Sequence, residues 1–154
     1  MKVSLIRASA EDAKEIWEMQ VRSFANLLEK YQDFDTNPSN EPLEKVKARL
    51  EQTFTYYYFI CLDDRKVGAI RIVDKKESPH KRISPLFILP EYRNKGIAQQ
   101  AILLCEEIHG FDCWELDTIL QEEGNCYLYE KMGYRQTGKT ENINDRLTLV
   151  FYEK

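Results

Sequence analysis

The sequence predicts an α/β protein whose helices cover both faces of a mixed, mostly antiparallel sheet of six or seven strands. Two patterns support this prediction. The middle of the chain is a meander of extended segments, whereas the later part alternates extended and helical segments. A meander gives antiparallel neighbours, and the alternation places helices across a sheet. We expect one domain over residues 1–154, because this length lies in the usual range of a compact unit.

The first strand and the first helix are predicted to meet at Ser9. Residues Lys2–Ala8 alternate in an extended pattern, and apolar residues then recur at helical spacing. Ser9 is a candidate N-cap, with Asp12 at the spacing of a capping box. The polar segment Asp33–Pro42 has the composition of a loop, and a second helix is predicted over Leu43–Gln52.

The middle of the chain predicts a hairpin and then a strand that contains a proline. Aromatic and β-branched residues fill Phe54–Leu62, a charged turn follows, and Lys66–Val73 is the second strand of the hairpin. After a charged connection, Ile83–Leu89 is mostly apolar. Because proline cannot donate to a strand ladder, Pro85 predicts a bulge or an edge strand, or a break in pairing near Pro85–Leu89. Such a break would splay a central pair of strands.

A polar turn at Pro90–Lys95 leads into a helix over Gly96–His109, which Gly110 is suited to end. The remaining elements are predicted to be a strand at Cys113–Leu120, a short helix at Asn125–Met132, a strand after Gly133 and a final strand at Arg146–Tyr152. The final strand is strongly apolar and would otherwise be an exposed edge. This pattern suggests a homodimer that forms through it.

The composition argues against several classes of partner. The formal charge of −4 provides no overall cationic field for nucleic acid or anionic lipid. The longest apolar runs are too short to span a bilayer as helices, and no export signal is visible, so we expect a cytoplasmic protein. The histidines suggest no metal site. Buried thiols are expected, rather than disulfides or metal ligands, at the four scattered cysteines Cys61, Cys105, Cys113 and Cys126.

The segment Ile83–Ala98 carries the most informative chemistry. A strand enters a tight turn, and the pattern Arg93-x-x-Gly96-x-Ala98 opens a helix, so unpaired backbone N–H groups converge at the helix start. The helix dipole, the small residues and a cation from Arg93 or Lys95 together predict a phosphate site. The alternative is that Gly96 only makes a turn. The segment matches neither a Walker loop nor the three-glycine dinucleotide fingerprint.

Two motifs in this chain resemble those of the GNAT acetyltransferases. The sequence Leu86-Phe-Ile-Leu-Pro-Glu-Tyr-Arg-Asn-Lys-Gly-Ile-Ala98 is similar to the family's coenzyme A-binding segment, and Leu128-Tyr-Glu-Lys-Met-Gly-Tyr134 is similar to its later motif. The resemblance implies an N-acetyltransferase that moves an acetyl group from acetyl-coenzyme A to a primary amine of a small molecule or peptide. The alternative is a coenzyme A-binding regulatory module without turnover.

The resemblance also implies which residues contact the coenzyme. They are Phe87, Ile88, Leu89, Arg93, Asn94, Lys95, Gly96, Ile97 and Ala98. Backbone N–H groups of the strand would pair with the pantetheine arm and polarise the thioester carbonyl. Family members often have Asn where this chain has Glu122. Asn125 would therefore either replace that contact with the cofactor or cap the short helix.

Catalysis and acceptor binding are less well defined by the sequence. The resemblance implies that Tyr129 faces the thiol sulfur and stabilises the leaving thiolate, although a tyrosine there would also suit simple packing. Asp117 and Glu77 are candidate general bases. The acceptor would meet the first two helices and the loop between them, where the acids that could attract a cationic amine are Asp33, Asp35 and Glu41.

Overall fold

The computed structural model describes residues 2–154, and within that range it contains seven strands and four α-helices. The strands are β1 (Val3–Arg7), β2 (Thr55–Leu62), β3 (Arg65–Val73), β4 (Lys81–Ile88), β5 (Trp114–Ile119), β6 (Arg135–Asn142) and β7 (Thr148–Glu153). The helices are α1 (Ala13–Tyr31), α2 (Leu43–Glu51), α3 (Ile97–His109) and α4 (Glu123–Lys131). Short 3₁₀ helices lie at Ala10–Asp12, Pro38–Asn40 and Pro90–Tyr92.

The strands form one sheet in the order β1-β2-β3-β4-β5-β7-β6. Neighbouring strands are antiparallel except for β4 and β5, which run parallel. The parallel pair requires a crossover, which α3 supplies, whereas the hairpin of β2 and β3 needs only a tight turn. The predicted mixed, mostly antiparallel sheet is therefore confirmed.

Alternating side chains divide the apolar residues between the two faces of the sheet. On one face Ile60 of β2 belongs to a buried cluster with Ile102 of α3 and Tyr129 of α4. On the other face the adjacent Phe59 belongs to a cluster with Ile16 of α1, together with residues of α2. Burial of each large apolar side chain contributes roughly 1.5–3 kcal/mol, so both helical layers are held mainly by this packing.

Local sequence signals set the helix boundaries. The backbone N–H of Ser9 donates to the Asp12 carboxylate at 2.8 Å, and the predicted capping box is confirmed. α1 ends at Gln32, whose φ of 56° is left-handed. α3 ends at Gly110, as predicted. Within residues 2–154 no helix is both long enough and apolar enough to cross a membrane.

The pairing of β4 is interrupted where Pro85 occurs. On the β3 side, Ser84 and Pro85 together lie opposite the single residue Arg71, which is a bulge. On the β5 side, pairing stops after Lys81 and Arg82, so the two strands diverge. The predicted break in pairing is confirmed, and it splays a central strand pair.

Arg71 stabilises this bulge through a hydrogen bond to its backbone. Its side chain is only 9% exposed, and one guanidinium nitrogen donates to the Ser84 carbonyl at 2.7 Å. A second nitrogen donates to Gln52 at the end of α2 at 2.9 Å. Burial lowers the pKa of Arg71 to about 10, which still leaves the group charged at neutral pH. The guanidinium therefore links α2 to the point where the sheet opens.

The final strand differs from its prediction. β7 lies between β5 and β6 and is paired on both sides, so the expectation of an exposed apolar edge at Arg146–Tyr152 is wrong. The edge is β6, whose residues are all exposed and mostly polar, a composition that discourages pairing with other chains. The argument for a homodimer through the final strand is thereby removed.

The cysteines are buried only in part. Cys61 and Cys105 are buried free thiols, as expected, whereas Cys113 is exposed and Cys126 is half-buried. Burial raises the pKa of the Cys105 thiol to about 12, so this side chain behaves as a small apolar residue.

Close contact between β3 and β4 depends on Gly68. A methyl group placed at Gly68 would lie 2.1 Å from the carbonyl oxygen of Phe87, which belongs to the backbone of β4. Because a strand would have to move, we expect Gly68→Ala to lower the free energy of unfolding by about 3 kcal/mol, the upper range for overpacking. Urea unfolding followed by circular dichroism measures this change.

Gly124→Ala is the matched control, since the added carbon meets nothing within 4 Å. In α4 it should be neutral or stabilise by up to about 1 kcal/mol through helix propensity. Equal unfolding free energies for the two variants would contradict the inferred clash.

Candidate functional site

A cavity of about 760 Å³ lies where β4 and β5 diverge. Its walls come from β4 and β5, the first turns of α3 and α4, the end of α1 and the loop that follows α1. The loss of pairing beyond Arg82 leaves this space within the sheet itself. Residues from both helical layers therefore line the cavity.

The end of β4 presents backbone hydrogen-bonding groups to the cavity. Leu89 donates to the Val67 carbonyl at 2.8 Å, which fixes the side of β4 that bonds to β3. Hydrogen-bonded residues alternate along an antiparallel ladder, so Phe87 also bonds to β3, whereas Leu86 and Ile88 direct their N–H groups to the opposite side. That side is the gap left by β5. The N–H group of Ile88 is thus available to a ligand in the cavity.

The turn after β4 forms an open helix start. Asn94 and Gly96 have left-handed φ values of 62° and 76°, and Gly96 is the N-cap of α3. The first helical bond runs from Gln100 to Gly96, so the N–H groups of Ile97, Ala98 and Gln99 have no acceptor within the helix. All three residues line the cavity. Together with the helix dipole, they form a site suited to an anion.

The space above Gly96 is unobstructed. A carbon added there would meet nothing within 4 Å, so a ligand can approach the backbone closely. The left-handed φ favours glycine at this position because other side chains are strained there. Gly96 therefore gives the anion site its backbone shape and also leaves room for a ligand to reach the backbone.

The two predicted cations have different positions. Arg93 lines the cavity, but its guanidinium donates to the Ile88 carbonyl at 3.1 Å and to the Ser23 carbonyl of α1. It thereby ties the end of β4 to α1 rather than extending freely at the rim. Lys95 is exposed and does not line the cavity. Of the remaining predicted contacts on β4, Phe87 and Ile88 line the cavity, while Leu89 is buried in the core.

Tyr129 enters the cavity from α4. It is 9% exposed, and its ring centroid lies 6.0 Å from that of Tyr134 and 6.1 Å from that of Tyr152. Tyr129 lines the cavity, and its hydroxyl takes part in none of the hydrogen bonds formed among residues 2–154. Burial, with a smaller effect of the negative charge of Asp117, raises the pKa of Tyr129 above its ordinary value. The phenol therefore stays protonated and can donate.

Asn125 is not a helix cap. α4 begins at Glu123 and its N-cap is Glu122, so Asn125 lies within the first turn, and the capping alternative is wrong. Asn125 lines the same cavity as Tyr129, which follows it one helical turn later. The structure therefore leaves Asn125 facing the space that a ligand would occupy.

Glu122 forms contacts that local sequence reasoning missed. Its carboxylate accepts hydrogen bonds from the Tyr31 hydroxyl at 2.5 Å and from Lys30 at 2.8 Å, both at the end of α1. Partial burial favours the neutral acid, but these two hydrogen bonds prevail and lower the pKa of Glu122. Glu122 lines the cavity as a charged group. Its partners lie about ninety residues away in the chain, so no local pattern reveals them.

The two candidate general bases are separated by the fold. Asp117 on β5 lines the cavity and accepts a hydrogen bond from Arg82 of β4, across the point where the strands diverge. Glu77 lies in the connection between β3 and β4 and does not line the cavity. Only Asp117 is positioned near the other candidate groups.

The acids of the loop after α1 also have different environments. Asp33 is buried, lines the cavity and accepts hydrogen bonds from the backbone and hydroxyl of Thr36. Asp35 is exposed and lies outside the cavity lining. Glu41 is engaged by both terminal nitrogens of Arg49 at 2.7 Å and does not line the cavity. Asp33 is the one predicted acid of this loop that faces the cavity.

No group of three His, Cys, Asp or Glu residues within 2–154 is arranged to hold a metal ion. The groups that face the cavity are instead backbone N–H groups, a protonated phenol and carboxylates that accept hydrogen bonds. This set can bind an anion, polarise a carbonyl and donate a proton in a hydrogen bond.

A family model described as the Acetyltransferase (GNAT) family matches residues 14–134. No curated protein sequence matches the chain. Among solved structures, PaiA N-acetyltransferase from Thermoplasma acidophilum in complex with coenzyme A is 17% identical, with a TM-score of 0.74 and 100% of each chain covered. These values indicate a shared fold rather than a close relative.

Two further solved structures have similar folds at low identity. Spermidine N-acetyltransferase from Vibrio cholerae, in complex with coenzyme A and spermine, is 15% identical with a TM-score of 0.75, covering 97% of this chain and 93% of that one. Ribosomal-protein-S18-alanine N-acetyltransferase from Escherichia coli is 9% identical with a TM-score of 0.74, covering 98% and 92%. Since the family model spans most of the sequence, the chain belongs to the GNAT family of acetyltransferases and is an acyltransferase with acetyl-coenzyme A as its co-substrate.

Proposed function

We propose that this enzyme transfers the acetyl group of acetyl-coenzyme A to a primary amine of a small molecule or peptide. The observation that carries the proposal is one cavity that joins an anion site, a free strand edge and a buried phenol. Amine acetylation needs a positioned thioester, an unprotonated amine and a stabilised leaving thiolate. A cytoplasmic location and a single domain over residues 1–154 remain predictions from the sequence.

The coenzyme would bind along β4 and over the start of α3. The free N–H groups of Ile97, Ala98 and Gln99 suit its pyrophosphate. The pantetheine arm would lie in the gap beside β4, where it can pair with the edge as an added strand does. Asn125 faces the same space and offers an amide to the arm. The relatives solved with coenzyme A support this assignment of ligand.

The thioester carbonyl would be polarised by the N–H of Ile88. This group points into the gap, since the alternating ladder directs the neighbouring N–H groups to β3. A fixed backbone donor aimed at the carbonyl oxygen stabilises the negative charge that develops there when the amine nitrogen attacks carbon. The C–N bond then forms and the C–S bond breaks, which releases coenzyme A as a thiolate.

Tyr129 would stabilise this thiolate by hydrogen bonding. A free thiol titrates near roughly 8.5 and a free phenol near roughly 10, so complete proton transfer from the phenol is unfavourable. Burial raises the pKa of Tyr129 further, which strengthens that conclusion. Tyr129 lines the cavity and its hydroxyl forms no hydrogen bond among residues 2–154, so we expect it to be free for the sulfur.

The amine proton would be accepted through water by Asp117. Of the two candidates from the sequence, it alone faces the cavity. Its ion pair with Arg82 holds the carboxylate at the mouth of the gap, on the strand opposite the thioester. In this arrangement the proton acceptor, Asp117, would lie on the β5 side of the gap. The N–H group of Ile88, which would donate to the thioester carbonyl, would lie on the β4 side.

Gly96→Asp tests the position of the pyrophosphate. The variant adds a side chain and a negative charge where the helix start is now open, so we expect it to abolish coenzyme A binding. Isothermal titration calorimetry measures the affinity. Gly138→Asp is the matched control, because Gly138 also has a left-handed φ and open space but lies on β6, away from the cavity. A folded Gly96→Asp variant with unchanged affinity would place the pyrophosphate elsewhere.

Tyr129→Phe tests the donor to the leaving group. The change removes one hydroxyl and keeps the ring, so we expect turnover to fall roughly tenfold to a thousandfold with little change in coenzyme affinity or Tm. Thiol release in a single turnover at saturating donor isolates the chemical step from product release.

Tyr134→Phe is the control for Tyr129→Phe. Its hydroxyl is buried without a partner beside the Tyr129 ring, so its removal should leave turnover unchanged and should not destabilise the protein. Turnover of the Tyr129→Phe variant within about twofold of the unmodified enzyme would remove Tyr129 from the mechanism and favour a packing role.

A further inference from the structure

Several apolar side chains face the cavity without belonging to either hydrophobic core. We call Leu27, Pro85, Ile119 and Leu149 the apolar wall. Each is only partly buried, and none belongs to the two buried clusters or packs against them. Apolar groups that line an open cavity gain free energy when a ligand covers them. The apolar wall therefore indicates the chemistry of what binds there.

The apolar wall lies on the α1 side of the sheet. Leu116 of β5 and Val150 of β7 belong to the core beneath α3 and α4. Because side chains alternate along a strand, Ile119 and Leu149 project to the opposite face, and they are direct neighbours across the β5–β7 pair. Leu27 reaches the cavity from α1 itself. The anion site and Tyr129 lie on the other face, so the wall is where the acceptor would bind.

The carboxylates on the cavity lining are already engaged. Asp117 is paired with Arg82, and Glu122 is paired with Lys30. Asp33 accepts hydrogen bonds from Thr36 and is only 6% exposed. A second positive charge on the acceptor would have to displace Arg82 or Lys30, approach the mostly buried Asp33, or lie beside leucine and isoleucine. Each alternative carries a desolvation cost.

The far end of this side is closed by hydrogen bonds between distant segments. The Tyr31 hydroxyl donates to Glu122 at 2.5 Å, and the Tyr31 carbonyl accepts from Asn144, in the turn between β6 and β7, at 2.9 Å. Arg146 of the same turn donates to the Lys30 carbonyl at 3.5 Å. The end of α1, the start of α4 and the β6–β7 turn thus meet, which limits the size of the group that fits beyond the wall.

We propose that the acceptor is a small monoamine whose amino group is attached to an alkyl or aromatic body, and that this body packs against the apolar wall. The proposal rests on the proposed acetylation of an amine at this site. It specifies that the carbon skeleton, rather than a second positive charge, is what the enzyme recognises. Leu27, Ile119 and Leu149 then determine specificity.

The test compares hexylamine with 1,6-diaminohexane, which have the same chain length and the same reacting group. Thiol release at saturating acetyl-coenzyme A gives kcat/KM for each amine. After division by two for the two amino groups of the diamine, we expect hexylamine to be favoured at least roughly tenfold, because the second ammonium would be desolvated against apolar side chains. An equal or higher value for the diamine would overturn the proposal.

Substitutions in the apolar wall test whether these side chains cause the preference for hexylamine over the diamine. Leu149→Asp and Leu27→Asp should each lower kcat/KM for hexylamine at least roughly tenfold and reduce or reverse the preference over the diamine. Leu27 is partly exposed on a helix, so its variant should fold even if a charge at Leu149 disrupts the sheet. Leu103→Asp makes the same change on the outer side of α3, where the leucine is 42% exposed, and should leave the preference unaltered. Equal effects at Leu27 and Leu103 would contradict a wall at this place.

Failure of the proposed function would give a different result. If neither amine releases thiol while coenzyme A still binds, then amine acetylation is wrong, and calorimetry with the coenzyme-loaded protein tests the wall separately. Binding of hexylamine that Leu27→Asp weakens and Leu103→Asp does not would support the wall. Absence of binding would overturn it.

Discussion

The loss of pairing between β4 and β5 is the constraint on which the rest of the site depends. Parallel pairing ends at Arg82, so beyond that residue the outer side of β4 has no neighbouring strand. A buried backbone group without a hydrogen bond costs about 1–3 kcal/mol, and an edge in this position favours a ligand that bonds as a strand would. The bulge at Ser84 and Pro85 lies beside this opening, and Arg71 holds the bulge through the Ser84 carbonyl. The proposed coenzyme site thus originates in the loss of strand pairing within the sheet.

The same segment also positions the anion site. Arg93 joins the last carbonyl of β4 to a carbonyl of α1, and in doing so it fixes the turn that leads into α3. The guanidinium therefore acts as a brace between β4 and α1 rather than as a free cation at the rim. Gly96 completes the arrangement, because its left-handed backbone turns the chain while leaving the surface open. The end of β4, Arg93 and the start of α3 thus form one structural unit.

Local patterns predicted this unit well because its residues are close in sequence. Pro85 predicted the break in strand pairing, and Gly96 predicted the start of α3, because each residue acts through its own backbone conformation. The acceptor side could not be predicted in the same way. Ile119 and Leu149 become neighbours only through the β5–β7 pair, and Glu122 finds its partners in α1.

The errors in the sequence-based predictions have the same physical origin. An apolar strand at the end of the chain looks like an exposed edge until the polar β6 is found outside it. Asn125 resembles a cap only while the start of α4 is unknown. Both mistakes concern the position of an element relative to its neighbours, which periodicity along the chain does not contain.

The opening through the sheet has a consequence for the order of events in catalysis. The coenzyme would occupy the gap from the side of α3 and α4, while the apolar wall lies on the side of α1. Two substrates that approach from opposite faces do not compete for one entrance, so neither must depart before the other arrives. Such an arrangement suits direct transfer within a ternary complex, without an acetylated side chain as an intermediate. It also allows the acetylated product and free coenzyme A to dissociate in either order, each by the route through which its precursor came.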